Sequence, residues 1–240
     1  QAFSWLSIAP AFSNFIGPFT AGLLIDHAGF QWAFAAMALL PVIAWLWIRQ
    51  AHELPKVVKP EGHENNSAWD LLNDPMFRRL LMVNWFLSAC WDVHTFVVPI
   101  LGHERGLSAS AIGTILGVFA LAAAFIRMMM PFIAARLHEW QVVTGAMLVT
   151  SFMLAVYPFT ETAWLMGACS VLVGLSLGGV QPMIMSTLHQ ITPEHRHGEA
   201  LGLRLMGINA SSVLMPMVFG AAGTVIGISG VFWCVSAVVG

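Results

Sequence analysis

Three ionisable residues interrupt long apolar stretches of the chain: Asp92, His94 and Arg127. A carboxyl group in apolar surroundings is costly to ionise, so it can take up and release a proton as its surroundings change. Asp92 lies 12 residues past Leu80, about 18 Å along a helix, near the middle of the apolar stretch 80–101. We predict that Asp92 carries a proton. The alternative is a permanently paired or protonated side chain that ties helices together.

His94 and Arg127 are candidates for the same proton chemistry. His94 lies about 200° around a helix from Asp92, so it suits either a hydrogen-bonded packing role or a proton relay. Arg127 either extends toward the nearer end of its helix or pairs with Asp92 or an anionic substrate. The depths of Arg127 and Asp92 differ by about 5–9 Å, most of which an arginine side chain spans. A proton arriving on Asp92 would break such an ion pair and bias an equilibrium between two states.

Polar residues on neighbouring stretches are candidates for contact with a small molecule. Gln181 precedes Pro182, which leaves a backbone carbonyl free. Asn209 shares a helix face with Ser212. Hydrogen bonding to a substrate and close helix packing both explain these positions. We predict that Trp91, Gln181 and Asn209 contact substrate.

Signatures of other chemistries are weak. A cluster of metal-ligating types lies at His189, Glu194, His195 and His197, but its spacing matches no recognised site, so we expect no metal. No nucleophile triad, phosphate-binding loop or basic nucleic-acid patch is visible, and no cofactor or nucleic-acid partner is expected.

The composition places the chain in a bilayer. Hydrophobic residues make up 58% of the 240 residues and charged residues only 9%, with a mean hydropathy of +0.77. A globular protein in water carries about 25% charged residues. Cys90, Cys169 and Cys234 all lie within apolar stretches, where they are typical small core residues rather than a disulfide framework.

The apolar stretches predict an all-α, polytopic membrane protein. About 20 helical residues cross a bilayer, and the stretches show no alternation typical of barrel strands. The last stretch alone is too short to span. The predicted segments are 3–25, 32–49, 80–101, 109–133, 141–158, 163–188, 200–224 and 226–240.

Basic residues alternate between the connections of these segments. Only Arg105 lies in the odd-numbered connections, whereas the even-numbered ones hold Arg49, Lys56, Lys59, Arg78, Arg79, Arg136, Arg196 and Arg204. Because short cytoplasmic loops are enriched in Lys and Arg, the even-numbered connections are predicted to face the cytoplasm of an inner (plasma) membrane. The cytoplasmic connections are then 50–79, 134–140 and 189–199.

The charged stretch 50–79 is predicted to be a cytoplasmic linker between residues 1–49, with two helices, and residues 80–240, with six. Ser67 is positioned to cap a short amphipathic helix over 68–73. Its residues Trp69, Leu71 and Leu72 are expected to lie against the membrane surface.

Residues 13–34 and 211–232 share a pattern 198 positions apart, Pro-x3-Gly-x6-Gly-x4-Phe preceded by Ser. A duplicated helix pair in a membrane protein is typical of secondary transporters. The matched residues are Ser13, Pro18, Gly22, Gly29 and Phe34, and then Ser211, Pro216, Gly220, Gly227 and Phe232.

One helix carries a family resemblance. The sequence Ser4…Ser13-x3-Gly17-Pro18-x2-Ala21-Gly22 resembles the fifth-helix antiporter motif of the major facilitator superfamily, Gly-x8-Gly-x3-Gly-Pro-x2-Gly-Gly, with small residues at the three departures. We expect the face of Ser13, Gly17 and Ala21 to pack closely against another helix. The pair Gln181-Pro182 and the stretch 198–209 are similar to the family's tenth-to-eleventh helix region. A weaker copy of the family's cytoplasmic gating motif is expected after helix eight, and in this sequence it retains only Arg136.

The resemblance implies a twelve-helix protein in two halves, of which this chain is expected to cover helices five to twelve, the last one cut short. It implies a monomeric proton-coupled transporter that exports small organic molecules by alternating access. An importer of the same fold, a non-transporting receptor and a membrane-embedded enzyme remain as alternatives, although no catalytic constellation supports an enzyme.

Overall fold

A computed structural model describes residues 2–49, 67–134 and 138–240, with the side chains of the first helix described from Ser13 onward. Within these ranges the chain forms helices and short connections and no strand, which confirms the all-α class. Six of the described helices are long and apolar enough to cross a membrane. The helices are α1 (Ala2–Ala28), α2 (Phe30–Ile48), α3 (Pro75–Glu104), α4 (Ala109–Ala134), α5 (Glu139–Val156), α6 (Ala163–Ile191) and α7 (His197–Val239).

Two predicted segments, 200–224 and 226–240, are joined in α7. The helix breaks at Gly227, where φ is 75° and ψ is 165°, two residues beyond the predicted connection at 225. Gly29, between α1 and α2, has φ 83° and ψ 168°. A side chain with a Cβ almost never adopts this backbone conformation. Gly29 and Gly227, which are paired in the sequence repeat, therefore share one backbone conformation.

The end of the predicted linker forms the short 3-10 helix Ala68–Asn73, with the predicted bounds. The predicted Ser67 side-chain cap is wrong, because the Ser67 carbonyl and not its hydroxyl accepts a hydrogen bond, from Asp70 N at 3.0 Å. Leu71 is also not at a membrane surface; it is buried in a cluster that includes Phe77 and Leu188. Asp74, the residue after the 3-10 helix, accepts a hydrogen bond from Met76 N at 2.9 Å and so caps α3, while the buried cluster joins the 3-10 helix to the start of α3.

Helix α1 packs closely along α4, and α4 packs along α6. A Cβ at Gly22 would overlap the carbonyl of Ala109, and one at Gly113 would overlap the carbonyl of Pro18. The backbones therefore touch at both points, as small residues allow.

The face of α1 that makes this approach is not the predicted one. Ser13 is exposed, and a Cβ at Gly17 would meet nothing within 4 Å. Pro18 and Gly22 lie about 100° around the helix from Gly17 and Ala21, and it is their face that meets α4. Within the described residues the predicted face of Ser13, Gly17 and Ala21 has no helix packed on it at Gly17, so close packing of that face stays a prediction.

A charged contact lies at the end of the same interface, where α1 ends and α4 begins. The Asp26 carboxylate accepts hydrogen bonds from Ala109 N at 3.0 Å and from Ser110 N at 2.7 Å, at the start of α4. An anion at a helix N-terminus satisfies free N–H groups and the helix dipole. Hydrogen bonds from Ser110, and to a lesser degree Ala109, lower the pKa of Asp26 from its ordinary value of 3.8.

The remaining helices enclose a second region of the core. Helix α3 packs along α7, and α5 packs against α6 and α7. Tyr157 stacks in parallel on Phe232 with ring centroids 5.2 Å apart. Ser151 and Ser236 each donate a hydroxyl to the other's carbonyl at 2.8 Å, which joins α5 to the last part of α7. By contrast, α2 contacts α1 and is exposed along most of its length, as expected for a helix in lipid.

Candidate functional site

Four helices meet around a cavity of about 190 Å³. Helix α3 contributes three side chains to its wall, α4 and α6 one each, and α7 two. The lining residues are Ser88, Trp91, Asp92, Arg127, Gln181, Ile208 and Ser212. The structure thus brings together four of the six residues predicted for proton coupling or substrate contact, while His94 and Asn209 lie elsewhere.

Asp92 is the acidic side chain of this cavity, and it is only 7% exposed. Its carboxylate accepts a hydrogen bond from the Ser211 hydroxyl at 2.7 Å and from the Ser212 hydroxyl at 3.3 Å. No basic nitrogen of the described residues lies within 4.0 Å of the Asp92 carboxylate. The ion pair found among the described residues joins Arg196 and Glu199 instead. Asp92 is therefore a buried carboxyl group held by two hydroxyls and by no cation.

Arg127 lies in the cavity wall on α4 without a carboxylate partner. Its Nε donates to the Gly178 carbonyl at 3.4 Å, and its guanidinium carbon lies 5.7 Å from the centre of the Trp91 ring. The carbonyl and the ring both favour a positive charge. The predicted ion pair between Arg127 and Asp92 is absent from this structure, although both groups line the same cavity.

Gln181 is anchored by a residue that the sequence had placed among the cytoplasmic charges. Arg204 lies seven residues inside α7, is 7% exposed, and donates from Nη2 to Gln181 Oε1. The loop assignment of Arg204 is thus wrong, because the helix begins at His197 and carries the side chain inward. The signal available in the sequence was its position within the apolar stretch 200–224.

His94 points away from the cavity into the core of the bundle. It is fully buried, stacks on Phe119 with centroids 3.9 Å apart, and its Nε2 shares a hydrogen bond with Ser170 Oγ at 2.8 Å. Ser170 in turn lies 2.6 Å from the Tyr157 hydroxyl. This arrangement has the contacts of a packing histidine. The structure shows no chain of hydrogen bonds from it to Asp92 among the described residues.

Two further predicted site residues are separate from the cavity. Asn209 is exposed on α7 and does not line the cavity. Arg136, the predicted gate residue, lies outside the described residues, as does the predicted linker up to residue 66. Ser211 was seen in the sequence only as a repeat position, and its role as the nearer donor to Asp92 became visible in the structure.

The helices that build this cavity belong to a region with a recognisable family signature. A sequence profile of the Major Facilitator Superfamily matches residues 1–216. The chain belongs to the major facilitator superfamily. Among curated proteins, no individual relative matches the chain.

Membership of the major facilitator superfamily makes the protein a multi-pass membrane transporter of small molecules rather than a member of an enzyme family. It agrees with the six apolar helices of the described part. The cavity between α3, α4, α6 and α7 is then a candidate for the place where this superfamily member holds its substrate, since transporter sites lie near the middle of the membrane between helices.

Proposed function

We propose that the protein is a proton-coupled secondary transporter of small organic molecules in which Asp92 carries the proton. The observation that supports this proposal is the contact of Asp92 with two hydroxyls and no cation. A serine hydroxyl donates to a carboxylate and, after rotating, accepts from a protonated carboxyl. Asp92 therefore has hydrogen-bond partners in both protonation states, as a residue that titrates in every cycle requires.

The transport movement in this proposal is a rocking of two halves, residues 1–49 and 80–240, joined by the cytoplasmic linker 50–79. The α1–α4 contact crosses from one half to the other, with Gly22 and Gly113 at the points of closest approach. Smooth surfaces of small residues let backbones pack without interlocking side chains. The protein would work as a monomer in the inner membrane.

Two directions of transport have support. Export is favoured by the resemblance of Ser13, Gly17, Pro18, Ala21 and Gly22 to the antiporter motif. Uptake is the second candidate, and it is favoured by the Arg127 guanidinium, which shares the cavity with Asp92 and has no carboxylate of the described residues within 4.0 Å.

A comparison of wild type with Asp92→Asn tests the proposal in the intact protein. In oriented membrane vesicles with an imposed pH gradient, wild type should move substrate in a direction that depends on the gradient, and Asp92→Asn should not respond to it. Asp70→Asn is a matched control, because Asp70 is exposed on the 3-10 helix at the end of the linker. Gradient-driven transport by Asp92→Asn at the wild-type rate would refute the assignment. Tolerance of an efflux-deficient host to toxic compounds, with the same variants at matched expression, reports whether the direction is export.

A further inference from the structure

We infer that the cavity binds a small organic anion, with Arg127 as its counter-ion and Gln181 as a second donor. This inference rests on the proposed function only in taking the cavity as the transport site. The observation behind it is that Arg127, the guanidinium in the cavity wall, has no carboxylate of the described residues within 4.0 Å, while a second guanidinium, that of Arg204, contacts Gln181 of the same wall.

Arg127 has most of its hydrogen-bonding capacity to spare. A guanidinium carries five N–H donors, and the described contacts of Arg127 use one of them, on the Gly178 carbonyl. A half-buried cation without a carboxylate partner is costly unless something compensates its charge. The planar fork of arginine matches the paired oxygens of a carboxylate, phosphonate or sulfonate.

Arg204 fixes the orientation of Gln181. Because a guanidinium only donates, the Gln181 oxygen must face Arg204, and the amide NH2 group is left for the cavity. Gln181 therefore offers hydrogen-bond donors to a ligand. The Arg204 Nε is buried and has no hydrogen-bond partner among the described residues, and no carboxylate oxygen of those residues lies within 4.0 Å of the Arg204 guanidinium.

The rest of the wall suits a small apolar body attached to the acid group. Trp91 and Ile208 line the cavity, and the Trp91 ring packs edge-to-face against Phe119 with ring centroids 4.6 Å apart. The Trp91 ring lies beside the Arg127 guanidinium. An aromatic or short aliphatic acid would place its charge on Arg127 and its body against Trp91.

The position of Asp92 determines how a proton and such an anion affect each other. A charged Asp92 repels an anion in the same cavity, and protonation removes that repulsion. The charged group that lines the cavity together with Asp92 is Arg127 of α4, while Arg204 of α7 contacts Gln181 of α6. On α3 itself, His94 points away and Cys90 is buried. Proton and anion thus bind together and move in the same direction, so this inference favours uptake over export. A cationic substrate would instead compete with the proton.

Ligand binding to the purified intact protein tests the inference. The probes are two anions, benzoate and phenylphosphonate, the neutral analogue benzamide and the cation benzylamine. The readout is the shift in the protein's unfolding temperature, measured over a range of probe concentrations and pH values. We expect the anions alone to stabilise the protein, more strongly at lower pH, and the stronger of the two identifies the acid group. Arg127→Gln should weaken anion binding at least about tenfold, the equivalent of one charged hydrogen bond. Arg127→Lys should retain part of it.

Arg105→Gln is the control, because Arg105 lies in the outer connection and donates to the Pro158 carbonyl at 2.7 Å. The wild-type series decides the question even if Arg127→Gln does not fold. Stronger binding of benzylamine than of either anion, or no binding of either anion, overturns the inference. If benzylamine binds in competition with protons through Asp92, the inference fails and the proposed function stands. Anion binding that is equal at every pH in wild type and Asp92→Asn supports the inference and refutes proton coupling.

Discussion

Gly29 and Gly227 adopt the same backbone conformation 198 positions apart, with φ and ψ of 83° and 168° in one and 75° and 165° in the other. Each glycine ends one long helix and begins the next. The two halves of the superfamily are parallel repeats, and we propose that these glycines occupy equivalent positions in them.

Replacing either corner glycine by alanine should destabilise the protein through its backbone alone. A Cβ at Gly29 or Gly227 would meet no atom within 4 Å, so no clash is involved. The conformation costs a residue with a side chain about 1–3 kcal/mol. We expect a lower unfolding temperature in detergent for Gly29→Ala and Gly227→Ala. Gly223→Ala, also in open space but within the helix, should unfold at or above the wild-type temperature. Equal behaviour of all three variants would contradict the assigned backbone.

Two glycines of the antiporter-like motif should respond differently to the same substitution. Gly22→Ala places a methyl group against the Ala109 carbonyl and should push α1 away from α4, with loss of stability and transport. Gly17→Ala meets open space and gains helix propensity, so it should fold and transport normally. Unfolding temperature and transport rate measured on both variants check this. A tolerated Gly22→Ala would mean that the helices do not touch there.

The contact of Asp26 with the start of α4 should favour the state that is closed on the outside, if residues 1–49 and 80–240 rock as two halves. Asp26→Asn weakens the contact and should increase outward opening, measured by spin-label distances between the outer ends of α1 and α4. The lowered pKa keeps Asp26 charged through neutral pH, and the contact is lost only as pH falls through that pKa, below 3.8. Glu161→Gln, at an exposed position in the connection between α5 and α6, is the control. An unchanged distance distribution in Asp26→Asn would rule out this role.

His94 should prove a packing residue. Replacing it by glutamine disrupts its stacking on Phe119 and its hydrogen bond to Ser170, so the unfolding temperature should fall. Because His94 does not reach the cavity of Asp92, the pH dependence of transport should remain that of wild type. Tyr157→Phe, which removes the other partner of Ser170, should give a similar stability loss with normal coupling. A changed pH profile in His94→Gln alone would restore the proton-relay interpretation.

Much of the fold followed from the sequence because apolar length and glycine spacing are properties of single helices. The sequence repeat paired Gly29 with Gly227, and the two residues share one backbone conformation. Depth along a helix likewise placed Arg127 within side-chain reach of Asp92, and the two line one cavity.

What the sequence did not provide was the rotation of each helix against its neighbours. Helical periodicity fixes which residues share a face but not what that face meets. For this reason Gly17 was expected in a packing face that Gly22 occupies, and Asn209 was expected in a cavity that Ser212 lines instead. The contact of Arg204 with Gln181 depends on the approach of α7 to α6, which no single-helix pattern contains.

Separating exchange from accumulation in Asp92→Asn tests directly whether Asp92 carries the proton. Intact protein in proteoliposomes, loaded with whichever probe binds, is assayed for exchange of labelled against unlabelled probe, and then for net accumulation driven by a pH gradient. Asp92→Asn should exchange substrate but not accumulate it, because the cavity still forms while the proton has no carrier. Accumulation by Asp92→Asn at the wild-type level would show that Asp92 is not the proton carrier.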